Sequence, residues 1–238
     1  MINNRRLKFL KFLTVFGLVI GVSSCVRPQF PQVWTQQKQE ALVPGEALRL
    51  LQEGNKRHVS GRPNNHHLRY QAYRTSHGQY PFAALVTCID SRTSAEFVFD
   101  QGLGDIFEAR VAGSVINTDI AASLEYACYV AGSKVVAIIG HTGCGAVKGA
   151  CDRVTVGNLP GLLARIEPAV RATETAAGED RTSHNHAFVD RVARANVVHS
   201  VQTLRRISPL LAKMEAEGKI TIVGGLYDLD TEEVTFLP

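Results

Sequence analysis

Two short, unbroken apolar runs, Ala83 to Ile89 and Val135 to Ile139, narrow the possible folds of this chain more than anything else in it. A strand with one wet face alternates apolar and polar residues, whereas a run that is apolar throughout has to be covered on both sides. Helical patterns separate the two runs, so the sequence predicts an α/β fold: a mainly parallel central sheet flanked by helices. Ile220 to Tyr227 and Val234 to Leu237 read as a last strand and a short antiparallel C-terminal edge strand. In such sheets a ligand crevice opens at the carboxyl ends of strands where the chain order reverses, and neighbouring strands there lie about 4.8 Å apart.

Reactive side chains stand at the ends of both runs. The first closes on Cys88-Ile89-Asp90-Ser91-Arg92 and the second on His141-Thr142-Gly143-Cys144-Gly145. Taken singly, Cys88 could be core, Asp90 and Arg92 an ordinary ion pair, and His141 a strand cap. Taken together, Cys88, Asp90, His141 and Cys144 form a ligand set that tetrahedral zinc accepts, with Arg92 placed to compete with the metal for the carboxylate. Cys144 stands where a tight turn opens a helix, a position expected to lower its thiol pKa.

This constellation resembles the signature of the β-class carbonic anhydrases, and the resemblance runs from about Ala47 to Tyr227. It implies a zinc lyase with one zinc per chain, catalysing the reversible hydration of carbon dioxide to bicarbonate and a proton by zinc-bound hydroxide. By the same resemblance Cys88, His141 and Cys144 hold the metal, Asp90 and Arg92 form the catalytic dyad beside it, and Gln79, Phe107 and Tyr126 line the carbon dioxide site. It further implies a homodimer or higher homo-oligomer whose pockets are partly built at the subunit interface. Three positions depart from the family pattern. Leu85 replaces the Trp of the noncatalytic bicarbonate pocket found in allosteric members, although Arg110 is present, and Glu108 and Ser114 fall where relatives carry an apolar residue and Asn. Two rival functions share the ligand set: a related enzyme acting on carbon disulfide or carbonyl sulfide, and a non-enzymatic protein with structural zinc. A structural zinc needs no displaceable carboxylate, so Asp90 and Arg92 argue for the enzymes.

Other His and Cys residues carry less. His66-His67 and His184-Asn185-His186 lie in polar surroundings that read as a loop and a helix entry, with solvated side chains expected. Cys128 and Cys151 fall on predicted helices, as a disulfide pair or as buried thiols.

The N-terminus indicates export. Arg5, Arg6, Lys8 and Lys11 precede an apolar stretch from Phe12 to Val22 that is too short to span a bilayer, then Ser23-Ser24-Cys25. Val22-Ser23-Ser24-Cys25 resembles a bacterial lipobox, which implies a signal peptide over residues 1–24, lipidation at Cys25 and a periplasmic, membrane-anchored protein; a conventional cleaved secretory signal is the alternative. Residues 25–44 read as a polar tether and 45–238 as the catalytic domain, opening with a helix around Gly45 to Glu53 that Gly54 closes. Without its leader the chain has 22 basic and 22 acidic residues, since four of the 26 Lys and Arg and none of the acids lie there. No basic stripe remains for nucleic acid, so the expected partners are carbon dioxide, bicarbonate, a membrane through the lipid anchor, and copies of the chain itself. A long amphipathic helix is predicted from Phe188, Val192, Ala195, Val198, Val201 and Leu204, and Ser208-Pro209 ends it.

Overall fold

A computed structural model describes residues 32–64 and 66–237. The leader and Cys25 lie outside the described residues, and among those described no helix is long and apolar enough to cross a membrane. In chain order the elements are α1 (Gln36–Ala41), α2 (Pro44–Val59), α3 (Leu68–Thr75), β1 (Ala83–Thr87), α4 (Ala95–Val98), β2 (Ile106–Arg110), α5 (Thr118–Glu125), β3 (Val135–His141), α6 (Gly145–Cys151), α7 (Leu159–Leu163), α8 (Glu167–Ala172), α9 (His186–Ile207), α10 (Pro209–Ala216), β4 (Thr221–Tyr227) and β5 (Val234–Leu237). A π-helical turn, Tyr126–Val130, extends α5 and carries Cys128.

The sheet order is β2-β1-β3-β4-β5, parallel except for the antiparallel pair β4-β5. The expected α/β architecture is therefore present. Every residue of β1 and β3 is buried, which accounts for their unbroken apolar sequence. Strand β2 was not legible as a strand. It is an edge strand, only Ile106 within it is buried, and its pattern is interrupted by Glu108 and Arg110. Because the chain steps from β1 out to β2 and back across to β3, the order reverses at β1, and the carboxyl ends of β1 and β3 flank the switch point.

Three helical expectations need correction. The second half of the expected tether is folded: the Trp34 ring lies 5.1 Å from that of Phe82, and the buried Gln39 amide donates to the carbonyls of Pro81 (2.7 Å) and Ala131 (2.8 Å). Gln39 satisfies carbonyls of the fold, so its polarity marks hydrogen bonding and not a spacer. Helix α2 runs through Gly54, which is a contact point and not a stop. On α9 the buried stripe includes Val189, Ala193, Asn196, Val197 and Ser200, while Val198 is 41% exposed. The predicted spacing placed Val198 on the inner face, but a 100° step per residue carries Val197 there. Cys128 is a buried free thiol and Cys151 a half-buried one.

Candidate metal centre

Each ligand is delivered by the end of an element. Cys88 is the first residue beyond β1, His141 is the last of β3, and Cys144 is the N-cap of α6. Gly143, at φ +64°, makes the turn between them, a conformation that costs glycine nothing, and its N–H donates to the Asp190 carboxylate at 2.8 Å. All three ligand side chains are buried, with exposures of 4%, 1% and 2%, and their donor atoms lie within 4.8 Å of one another. The Cys88 and Cys144 sulfurs are 4.0 Å apart. Two sulfurs at 2.3 Å from one tetrahedral metal would stand about 3.8 Å apart.

His141 supplies the clearest test of fit. Its Nδ1 lies 2.9 Å from the Thr142 carbonyl oxygen, which can only accept, so Nδ1 carries the proton and Nε2 a lone pair. That Nε2 is buried and has no hydrogen-bond partner. A buried acceptor without a donor is costly, and a cation between the two sulfurs would satisfy it.

The electrostatics of the thiols differ from the sequence expectation. A hydrogen bond from the Cys144 thiol, aided by the Gly113 N–H at 3.4 Å, holds the Cys88 thiol down at about 4, against the opposing effect of burial. The same hydrogen bond and burial push Cys144 up, although the amides of Ala146 and Val147 at the start of α6 pull the other way. Two adjacent buried thiols cannot both lose a proton without a compensating cation, and a zinc between them would supply it.

Of the four expected ligands, three converge and Asp90 stands beside them. Both of its oxygens are taken by Arg92: Nε donates to Oδ1 at 2.9 Å, Nη2 to Oδ2 at 2.8 Å, and the Arg92 backbone N–H to Oδ1 at 3.0 Å. This fork holds the Asp90 carboxyl well below the usual carboxylate range. Its Oδ2 is 3.9 Å from His141 Nε2, at the edge of the ligand cluster. The loop carrying Asp90 is fixed by residues whose roles were not legible. Arg110 Nε donates to the Cys88 carbonyl at 3.0 Å and its Nη2 to that of Asp90, and the Thr93 hydroxyl donates to the Asp90 carbonyl at 3.0 Å. Gly113, at φ +73°, brings its N–H to Cys88, and Asn196 on α9 holds the Gly113 carbonyl at 2.8 Å. Ser114 donates to the Ile139 carbonyl at 2.7 Å, and Glu108, its carboxyl raised by burial, accepts from Thr87 and from the Ala95 N–H.

The expected substrate residues are only partly gathered. Phe107 and Tyr126 meet edge to face, with centroids 6.3 Å apart, and line an apolar groove of about 550 Å³ with Leu85. Gln79 is exposed and does not line it. His66 is not solvated as expected: its Nε2 lies 2.8 Å from the Asp100 carboxylate, which also takes Arg57 and the Asn64 N–H. His184 and His186 do stand at the entry of α9, where Asn185 is the N-cap.

A family model for carbonic anhydrase matches residues 83–234, the span from the start of β1 to the start of β5. The chain belongs to the carbonic anhydrase family. Carbonic anhydrase 2 of Mycobacterium tuberculosis is 37% identical over 194 residues, covering 79% of this chain and 89% of that protein. Among solved structures, a β-carbonic anhydrase of Aspergillus fumigatus superposes with a TM-score of 0.61 at 24% identity, over 71% of this chain and 81% of that one. A tetrameric β-carbonic anhydrase of Sordaria macrospora gives 0.60 at 22%, over 77% and 97%. As a carbonic anhydrase the protein is a zinc-dependent carbonate dehydratase, and the Cys88-His141-Cys144 cluster is consistent with one zinc per chain.

Proposed function

We propose that the protein interconverts carbon dioxide and bicarbonate at the Cys88-His141-Cys144 centre, with Asp90 and Arg92 as its working dyad. The unpartnered His141 Nε2, facing two sulfurs inside the core, is the observation that carries the reading. Zinc held there supplies Lewis acidity, which makes water a nucleophile near neutral pH. The protein's residues do the rest. Asp90, kept ionised by Arg92, offers a fixed oxygen at the rim of the cluster that accepts a hydrogen bond from the attacking water and so aims its lone pair. Arg92, at 60% exposure, restrains that carboxylate from closing on the metal. Phe107 and Tyr126 contribute an apolar wall suited to a substrate with no dipole. Cys144, with one sulfur among the three ligands, is expected to be indispensable for the metal. Stopped-flow carbon dioxide hydration with zinc quantified on the same sample tests this: wild type should be active at one zinc per chain, and Cys144→Ala should lose both. Undiminished zinc in Cys144→Ala would overturn the assignment.

We further propose export with lipidation at Cys25, on the strength of the charged, apolar and small-residue segments before it. A homo-oligomer completes the reading. Tyr126, Tyr129 and Val130 are 55%, 66% and 67% exposed along one turn beside the free edge of β2, an apolar surface suited to a second copy.

A further inference from the structure

Away from the metal centre, a recess of about 270 Å³ lies between the α7-α8 segment and the second half of α9. Arg165, His199 and Arg206 line it together with Ser200 and Thr203, and Val115, Ile116 and Pro168 form its apolar wall. Its charge is one-sided. Arg206 and Arg165 have no carboxylate within salt-bridge distance among the described residues, whereas their neighbours are satisfied: Arg205 is bound to Glu215 at 2.8 Å, and Glu167, the nearest acid along α8, is bound to Arg171 at 2.6 Å. Burial, with Arg206 adding to it, lowers the His199 pKa, so the imidazole already feels an uncompensated cation. Donors are also in excess. The Thr203 Oγ1 is buried without a hydrogen-bond partner, and Ser200 is only 2% exposed. Guanidinium groups can only donate, and hydroxyls donate readily to a charged oxygen.

We propose that this recess binds a small inorganic oxyanion, such as sulfate, phosphate or bicarbonate, at a site separate from the zinc centre. The volume admits such an ion with a few waters. Arg165 and Arg206 supply the charge, and Thr203 supplies a hydroxyl that an oxyanion oxygen can occupy. Among the described residues no ion pair joins Arg165, His199 or Arg206 to the ligand cluster or to Asp90, so occupancy can be read independently of catalysis.

The test follows the His199 imidazole by NMR in the zinc-loaded protein, assigned by the signal lost in His199→Gln, while sulfate is added against chloride at equal ionic strength. Sulfate is expected to shift the His199 signal saturably and to raise its pKa, because a neighbouring anion favours the imidazolium. Arg165→Ala with Arg206→Ala should weaken sulfate at least tenfold, and Thr203→Val severalfold, with zinc content and circular dichroism unchanged. A parallel titration with bicarbonate at constant pH separates the sources: a matching shift means the enzyme's own product occupies the site, and a shift with sulfate alone assigns it to other oxyanions. A His199 response to sulfate no larger than to chloride, or undiminished affinity in the double Arg variant, would overturn the proposal.

Discussion

Arg92 acts on Asp90 in two ways that substitution can separate. It keeps the carboxylate ionised, and it engages both oxygens, holding Oδ2 3.9 Å from His141 Nε2. Asp90→Asn keeps the shape but removes the charged acceptor, so zinc should remain while hydration falls by about 100-fold or more. Arg92→Ala leaves a charged Asp90 free to swing toward the cluster, where His141 Nε2 is 3.9 Å away, and should be comparably inactive with zinc retained. The two variants differ in their response to pH. Arg92 lowers the Asp90 pKa, so the pair's contribution to stability is present above the ordinary carboxylate range and is lost as pH falls through the lowered value. In Arg92→Ala the carboxyl returns toward about 4, and the small stability gap between that variant and wild type should close on acidification. With Arg92 60% exposed, that gap is slight, and so inactivity of a zinc-loaded, folded Arg92→Ala reports the switch itself. Near-wild-type hydration by that variant would refute the restraint.

Helix α2 shows how packing reverses a propensity. Glycine inside a helix ordinarily costs about 1 kcal/mol relative to alanine, so Gly54→Ala would be expected to stabilise α2. Here an added Cβ would stand 1.8 Å from the Phe99 carbonyl oxygen and 2.7 Å from Gln101 Nε2. The helix would have to withdraw from α4, costing on the order of 1–3 kcal/mol or more, and thermal unfolding should show a clear fall in Tm. An unchanged or raised Tm would mean that α2 does not seat there. The same contrast explains what the sequence revealed. Strands β1 and β3 were legible because burial on both faces leaves only apolar residues, and Cys88, His141 and Cys144 were legible because each lies at or within three residues of such a strand's end. Strand β2 was hidden by Glu108 and Arg110, whose polar heads serve Thr87, Ala95, Cys88 and Asp90 across space. Gly113, Asn196 and Asp190 act through backbone N–H and carbonyl groups, which leave no spacing rule behind. The tether misled for a related reason, since the polarity of Gln39 satisfies carbonyls inside the fold.

At the scale of the whole molecule, two expectations concern what surrounds the domain. If Cys25 is acylated, wild type should sediment with membranes and Cys25→Ser should release it or block processing, because an apolar stretch from Phe12 to Val22 cannot itself span a bilayer. Fully soluble wild-type protein in a periplasmic fraction would refute the anchor. The oligomer bears more directly on chemistry. One protomer brings Phe107 and Tyr126 together but leaves Gln79 exposed and apart, while an apolar groove opens at the free edge of β2. A second copy against that edge would cover the groove and the neighbouring Tyr129 and Val130, neither of which holds the metal or its loop. Charges there should cost a lone protomer little, since both side chains already face water, but would be buried at an interface without partners. Tyr129→Glu with Val130→Glu is therefore expected to convert a dimer or larger assembly to monomers by light scattering, to retain one zinc per chain, and to lose most hydration activity per zinc. A variant that is monomeric yet fully active would show that one protomer forms the whole substrate site, and a monomeric wild type would remove the interface altogether.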